Sequence, residues 1–234
     1  MKHSLITTLL FTLFAPFIMS CTSSDWDDEE NQLPSSYVEP VNVSGYWYQS
    51  GAKLNGNSAY LGLHFTSSGK GHATFYAKSA GIASFDDINT SVEGSILTIN
   101  NCDAFKGNFL VENVTSSSLI LRQGNTIYTY YKGKELSPEN LATKSYWTLS
   151  STGSSNYWRY YFRSDKTGEL YQYYNGKSST FPFNYTCSSE TGSLTINYTN
   201  PGINPDFYDY ACLLNSSLLL TFKEGTQTYW QELK

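Results

Sequence analysis

The chain has 234 residues, with 15 Lys and Arg against 20 Asp and Glu for a formal charge of −5, and it holds 20 Tyr, 13 Phe and 5 Trp. Its few scattered basic residues argue against a nucleic-acid partner, because phosphate binding needs clustered Lys and Arg. Helix-favouring runs of Ala, Glu, Lys and Leu are scarce, and the wealth of aromatic residues with Ser, Thr, Asn and Gly favours strands joined by tight turns.

The chain opens with a short cationic start, Met1-Lys2-His3, and an apolar run from Leu5 to Ile18 broken by threonines and Pro16. That run falls short of the roughly 20 apolar residues of a membrane span, and the layout predicts a secretory signal over residues 1–20. Ile18-Met19-Ser20-Cys21 resembles the bacterial lipobox, which implies that Cys21 becomes lipid-modified after cleavage. Each buried CH₂ of an acyl chain contributes about 0.8 kcal/mol, so two or three chains anchor a protein that has no transmembrane segment. The alternative is an ordinary thiol on a soluble secreted protein. Asp25, Asp27, Asp28, Glu29 and Glu30 follow, and their mutual repulsion predicts an extended, solvated tether over 21–41. This acidic patch looks like the surface-export signal of Bacteroidetes lipoproteins; as a bare spacer it would carry no address. The expected place is the outer membrane, lipid-anchored and surface-exposed. Loss of residues 1–20 removes only Lys2 among charged groups, and most of the remaining acidic excess sits in the tether. The folded part is therefore close to neutral.

Beyond the tether the chain reads twice. "VSGYWYQS" (Val43 to Ser50) is answered by "TKSYWTLS" (Thr143 to Ser150), and "LGLHFTSSGKG" (Leu61 to Gly71) by "WRYYFRSDKTG" (Trp158 to Gly168). "GSILTINN" (Gly94 to Asn101) and "NTIYTYYK" (Asn125 to Lys132) recur in the same order as "GSLTINYT" and "GTQTYWQE". A single long repeat indicates tandem domains rather than a solenoid, here 42–133 and 142–234. The connecting 134–141 contains Ser137-Pro138-Glu139, an N-cap, a first-turn proline and an early acid, which predicts one or two helical turns. Within each copy, apolar residues at every second position, as in Leu61, Leu63 and Phe65 or Phe181, Phe183 and Tyr185, predict half-buried antiparallel strands. Seven or eight strands per copy close most naturally into a small barrel or a strongly curled sheet. After Cys21 three cysteines remain, and Cys187 and Cys212 fall on strands too far apart for disulfide geometry; buried thiols are expected.

Gly45-Tyr46-Trp47 on an opening strand, followed by a meander of short strands, resembles the lipocalin-like domains of Bacteroidetes surface lipoproteins. The resemblance covers both copies and implies an all-β fold of two tandem small antiparallel meander β-barrels with a short helical linker. Ser145 stands at the glycine position of the second copy, and neither last strand holds the arginine that covers the tryptophan in that family. An eight-stranded interior holds side chains or one small ligand. Trp47, Phe65, Phe75 and Phe109 in one copy, and Trp158, Phe162, Phe181 and Phe183 in the other, suffice to fill it.

Signals of catalysis are poor. His64 and His72 lie on adjacent predicted strands without a carboxylate or cysteine at metal-ligand spacing, and they read as surface histidines. Ser67-x-x-Lys70 and Lys166-Thr167-Gly168 are β-lactamase-like fragments in hairpin turns and in the wrong order. Asp206 and Asp209 could form a glycosidase pair, but "NPGINPDFYDY" reads first as a solvated connection. No enzyme activity, cofactor or metal is expected. The feature beyond core needs is the second face of "NYWRYYFR" and "ELYQYY": Tyr157, Arg159, Tyr161 and Arg163, joined by Tyr171 and Tyr173. Tyr planes beside Arg forks suit sugar rings or protein hot spots; plain cross-strand pairing is the alternative. The expected function is non-catalytic binding of a glycan or a partner protein at the cell surface, or else service as an accessory subunit of an outer-membrane complex.

Overall fold

Turn clusters alternate with two-residue apolar periodicity along the whole repeated region, and the result is an antiparallel meander. The computed structural model describes residues 40–234 except 55–56, 78–80, 82, 103–104, 151–154 and 215; the signal segment, Cys21 and nearly all of the acidic tether lie outside the described residues. Strands β1 (Gly45–Leu54), β2 (Asn57–Phe65), β3 (Lys70–Ala77), β4 (Ala83–Glu93), β5 (Ile96–Asn100), β6 (Gly107–Val114), β7 (Ser118–Gln123) and β8 (Thr126–Lys132) form a closed barrel. Closure runs through the pairs Trp47↔Lys132 and Tyr48↔Tyr131, which leaves no free edge.

The inward positions are those that alternation marks: Trp47, Leu63, Phe65, Phe75, Ile88, Leu97, Ile99, Phe109, Leu119 and Leu121 are all buried. Phe105, from the connection between β5 and β6, folds inward and stacks on Phe109 at 4.5 Å between ring centroids, with Tyr128 edge-on to it. This interior is packed with apolar and aromatic side chains, the Tyr130 hydroxyl and the Cys102 thiol buried among them.

Trp47 seals the other end, its Nε1 donating to the Val43 carbonyl at 2.7 Å. The cation over its indole is a lysine from the last strand, Lys132, whose Nζ lies 4.1 Å from the ring centroid and donates to the Ser44 carbonyl at 2.8 Å. Gly45 has φ +118°, and a Cβ there would overlap the Lys132 ammonium. The glycine of the opening motif is thus the space that the lysine occupies.

Next comes α1 (Pro138–Leu141), with Ser137 capping the Asn140 amide and Glu139 in the first turn. Leu136 and Leu141 are buried in the second core beside Trp147, whose Nε1 donates to the Leu141 carbonyl at 2.9 Å. Here the lysine over the indole is Lys144, 4.7 Å from the centroid and just ahead of the strand. With the cation arriving from that side, Ser145 replaces the glycine.

The second copy departs from the expected closed barrel. β9 (Trp147–Ser150), β10 (Tyr157–Phe162), β11 (Thr167–Tyr174), β12 (Lys177–Cys187), β13 (Leu194–Tyr198) and β14 (Asp206–Tyr208) form one curled sheet, and β15 (Tyr210–Leu213), β16 (Leu218–Glu224) and β17 (Gln227–Leu233) form another. Its register repeats that of the first: Phe65 pairs with Gly71 as Phe162 pairs with Gly168, and Leu97 pairs with Phe109 as Leu194 pairs with Tyr208. The difference lies in the sixth strand. In the first copy a bulge between Val111 and Asn113 bends it without ending it. In the second the chain breaks at Asp209, so that among the strands β14 pairs with β13 and β15 with β16, Leu213 of β15 adding a single bridge to Lys134. At the far edge Thr148 and Lys234 exchange backbone hydrogen bonds of 2.6 and 2.8 Å.

Val38–Lys234 forms one compact unit. Tyr210 projects from β15 into a nest of Tyr46, His64, His72 and Phe85 on the barrel's outer face, with ring separations of 5.5 to 6.5 Å. Trp230 of β17 meets Tyr76 edge-on at 5.3 Å and donates from Nε1 to the Ala77 carbonyl at 3.0 Å. Leu219, Cys212 and Leu214 complete this third core. His64 is therefore no surface histidine: it is 3 % exposed, stacks on Tyr46 at 4.0 Å, and its Nδ1 has no partner. Burial, reinforced by His72, lowers its pKa to about 4. Of the thiols, Cys102 and Cys212 are buried as expected and Cys187 is only half-buried; desolvation pushes Cys212 up to about 12.

Candidate functional site

Alternation on β10 sends Trp158, Tyr160 and Phe162 inward and Tyr157, Arg159 and Tyr161 outward. Pairing with β11 sets Tyr157 opposite Tyr173 and Arg159 opposite Tyr171. The outer face is a ladder of rings: Tyr157 stacks on Tyr173 at 5.4 Å and on Tyr171 at 6.0 Å. The Arg159 guanidinium sits between Tyr157 and Tyr146, 4.6 and 4.7 Å from their centroids, and its Nε is buried without an acceptor. Tyr146, which joins Tyr161 at 5.7 Å, is a member that sequence reasoning missed; it precedes Trp147 and so points outward by simple parity. Arg163 stands apart at the strand end, bound to Glu169 at 2.7 Å in an exposed ion pair. The structure thus gathers Tyr157, Arg159, Tyr161, Tyr171 and Tyr173 on one surface and places Arg163 at its margin.

A second feature lies on the inner face. At the end of the curled sheet away from Trp147, a cavity of about 310 Å³ is lined by Trp158, Gln172, Phe181, Tyr198, Asn204 and Asp206 among others. Beyond Tyr160 and Asp206 a wider recess of about 460 Å³ reaches Tyr208, Phe222 and Gln231. The Tyr198 hydroxyl donates to Asp206 Oδ2 at 2.6 Å, and Gln231 Nε2 donates to the Tyr208 hydroxyl at 3.2 Å. Tyr160 lies beside Tyr208 and Tyr198, and burial, with the Asp206 charge nearby, pushes it up to about 12. Burial likewise raises Tyr198 and Tyr208 above the usual tyrosine range. At neutral pH all three phenols keep their protons, and that of Tyr198 is donated to Asp206.

Sequence reading assigned Asp206 to a solvated loop, because Pro201, Asn204 and Pro205 mask the three-residue strand β14. The parity of Asp206 with Tyr208, a buried residue, was the available signal. Asp206 lines the inner cavity, whereas Asp209 sits at the strand break and is exposed. The His64–His72 neighbours do lie across their hairpin, and His72 Nδ1 meets Asp87 at 2.8 Å. Among the described residues no group of three or more His, Cys, Asp or Glu is placed to hold a metal ion.

Fold and surface together define an all-β protein with one closed barrel around a buried aromatic core, a curled half-barrel docked against it, and a tyrosine-rich outer face. No protein family, curated protein or solved structure matches the chain.

Proposed function

We propose that the protein is a non-catalytic binding protein, built as a tandem lipocalin-like duplication, held at the outer face of an outer membrane by lipid on Cys21, and engaging a glycan or a partner protein through the Tyr/Arg face of its second half. The observation that carries this reading is Arg159: a cation held between Tyr146 and Tyr157, with a buried Nε that lacks an acceptor, on a surface that neither core requires. Stacked rings of this kind present large contact area at small entropic cost, because they are already immobilised. Glycan-array and pull-down binding that disappears in the double variant Tyr161→Ala, Arg159→Ala, with unfolding temperature retained, is the expected result. Binding unaffected by that variant would refute the assignment, and a mature protein that takes up no palmitate analogue would refute the anchor.

A second reading, an accessory subunit that packs against another outer-membrane protein, is favoured by a row across the first barrel. Ile96 pairs with Leu110, Leu110 with Arg122 and Arg122 with Ile127, and the three apolar members are 40, 40 and 51 % exposed. Co-purification with a partner that is lost in Leu110→Asp, without glycan binding, would select it.

A further inference from the structure

The two halves share one register but treat their interiors differently at the end away from the tryptophan. In the barrel, Leu61 and Phe75 face each other across β2 and β3, both buried. The matching pair across β10 and β11 is Trp158 and Gln172, both only half-buried. Phe109, against which Phe105 closes the barrel, is matched by Tyr208, and the loop that would supply a counterpart to Phe105 carries Ile203 and Asn204 at the cavity instead. Leu61, Phe75 and Phe109 in one copy thus give way to an indole, an amide and a phenol in the other, with the Asp206 carboxylate beside them. The phenols and the carboxylate are held in place by hydrogen bonds, Tyr198 to Asp206 and Gln231 to Tyr208. Their concentration around one opening is the pattern of a ligand site, and barrel mouths are a common location for one.

We infer that this opening binds a neutral pyranose sugar, with the C–H face of the ring on the Trp158 indole and its hydroxyls shared among Asp206, Gln172 and Asn204. The chemistry points to this class. Asp206 already accepts from Tyr198 through Oδ2, which leaves Oδ1 to take a second hydroxyl; the amides both donate and accept, as vicinal hydroxyls require. A volume of about 310 Å³ is at the lower edge of the ~300–1,000 Å³ range of small-molecule pockets, suited to one or two rings. An anionic ligand is disfavoured by Asp206. An organic cation would want an aromatic cage with no need of amides, so it is the competing occupant. The inference stands apart from the outer Tyr/Arg face, which lies on the opposite side of the same strands.

The test is saturation-transfer NMR and tryptophan-fluorescence titration of the full chain with methyl glucoside, methyl galactoside and methyl mannoside, with choline as the cation. At least one glycoside is expected to bind, and Asp206→Asn and Gln172→Leu are each expected to weaken it about tenfold or more. The outer-face variant Tyr161→Ala, Arg159→Ala is expected to leave that binding unchanged. Near-UV circular dichroism confirms that each variant is folded, and Gln172→Leu, which keeps the bulk, serves if Asp206→Asn disturbs Tyr198. Three outcomes overturn the inference: no glycoside binds, choline binds in their place, or the glycoside is lost in the outer-face variant and kept in the two cavity variants.

Discussion

The first half and the second half carry the same order of strands, the same buried tryptophan under a lysine and the same pairing at the Gly71 and Gly168 turns, yet one is sealed and the other is open. Two local differences account for this. A bulge bends the sixth strand of the barrel and lets it keep both neighbours, whereas a break at Asp209 divides its counterpart between two sheets. One aromatic residue in a loop, Phe105, then plugs the barrel and has no counterpart at the other opening. Periodicity sets the meander; whether the meander becomes a solid core or a cup is decided by a few residues at one end.

The comparison breaks most severely if the plug is removed. Phe105→Ala takes a 6 % exposed ring from its stack on Phe109 and is expected to destabilise the protein by about 3–5 kcal/mol. The loss is read as a lower urea midpoint with an unchanged m-value. A cost below about 1 kcal/mol would show that the barrel is not sealed by this ring.

A second effect concerns the seam rather than either interior. His64 is neutral when folded, with a pKa near 4 against about 6.5 in an unfolded chain, so the unfolded state binds more protons between those values. Stability from His64 is complete above about pH 6.5 and is lost as pH falls toward 4. A shift of this size bounds the loss at about 3 kcal/mol. Facing His64 are Tyr46, Tyr210 and His72, with Glu135, Glu190 and Lys132 at the neighbouring opening, and Asp87 anchors His72. The expected acid-induced drop in unfolding temperature is flattened in His64→Phe. An identical pH profile in that variant would assign the drop to carboxylates instead.

How much of this was legible beforehand varies by residue, for physical reasons. Leu61, Leu63 and Phe65 read as core from alternation alone, because a period of two places them on one face whatever the strands do next, and Trp47, Phe75 and Phe109 read as core because their bulk suffices to fill a small interior. The Tyr157–Tyr173 surface followed from the same parity. His64 failed the same logic: it lies outward from its own barrel, and a single strand pattern does not show that another half will cover that face. Tyr210, the residue that covers it, likewise reads as one more strand aromatic. Asp206 was hidden because a three-residue strand between prolines and asparagines is shorter than the window in which alternation can be counted. The open end follows from an absent plug, and nothing in the second copy's own loop reveals it without the first copy's Phe105 for comparison.

The mildest test exchanges the two opening motifs. Gly45 and Ser145 occupy matching places before Trp47 and Trp147, and their difference is explained by the route of each lysine. Lys132 reaches back across β1 through the space above Gly45, whose φ of +118° an L-residue rarely adopts. Lys144 is already next to Ser145 and needs no such space. Gly45→Ser should therefore cost about 1–3 kcal/mol, from backbone strain together with displacement of the ammonium from Trp47. Ser145→Gly should shift stability by no more than about 1 kcal/mol, the cost of added freedom in the unfolded chain. If both substitutions proved equally harmless, the lysine would not be the reason for the glycine. Adding Lys132→Ala to Gly45→Ser separates the two contributions: with the ammonium gone, only the backbone strain should remain.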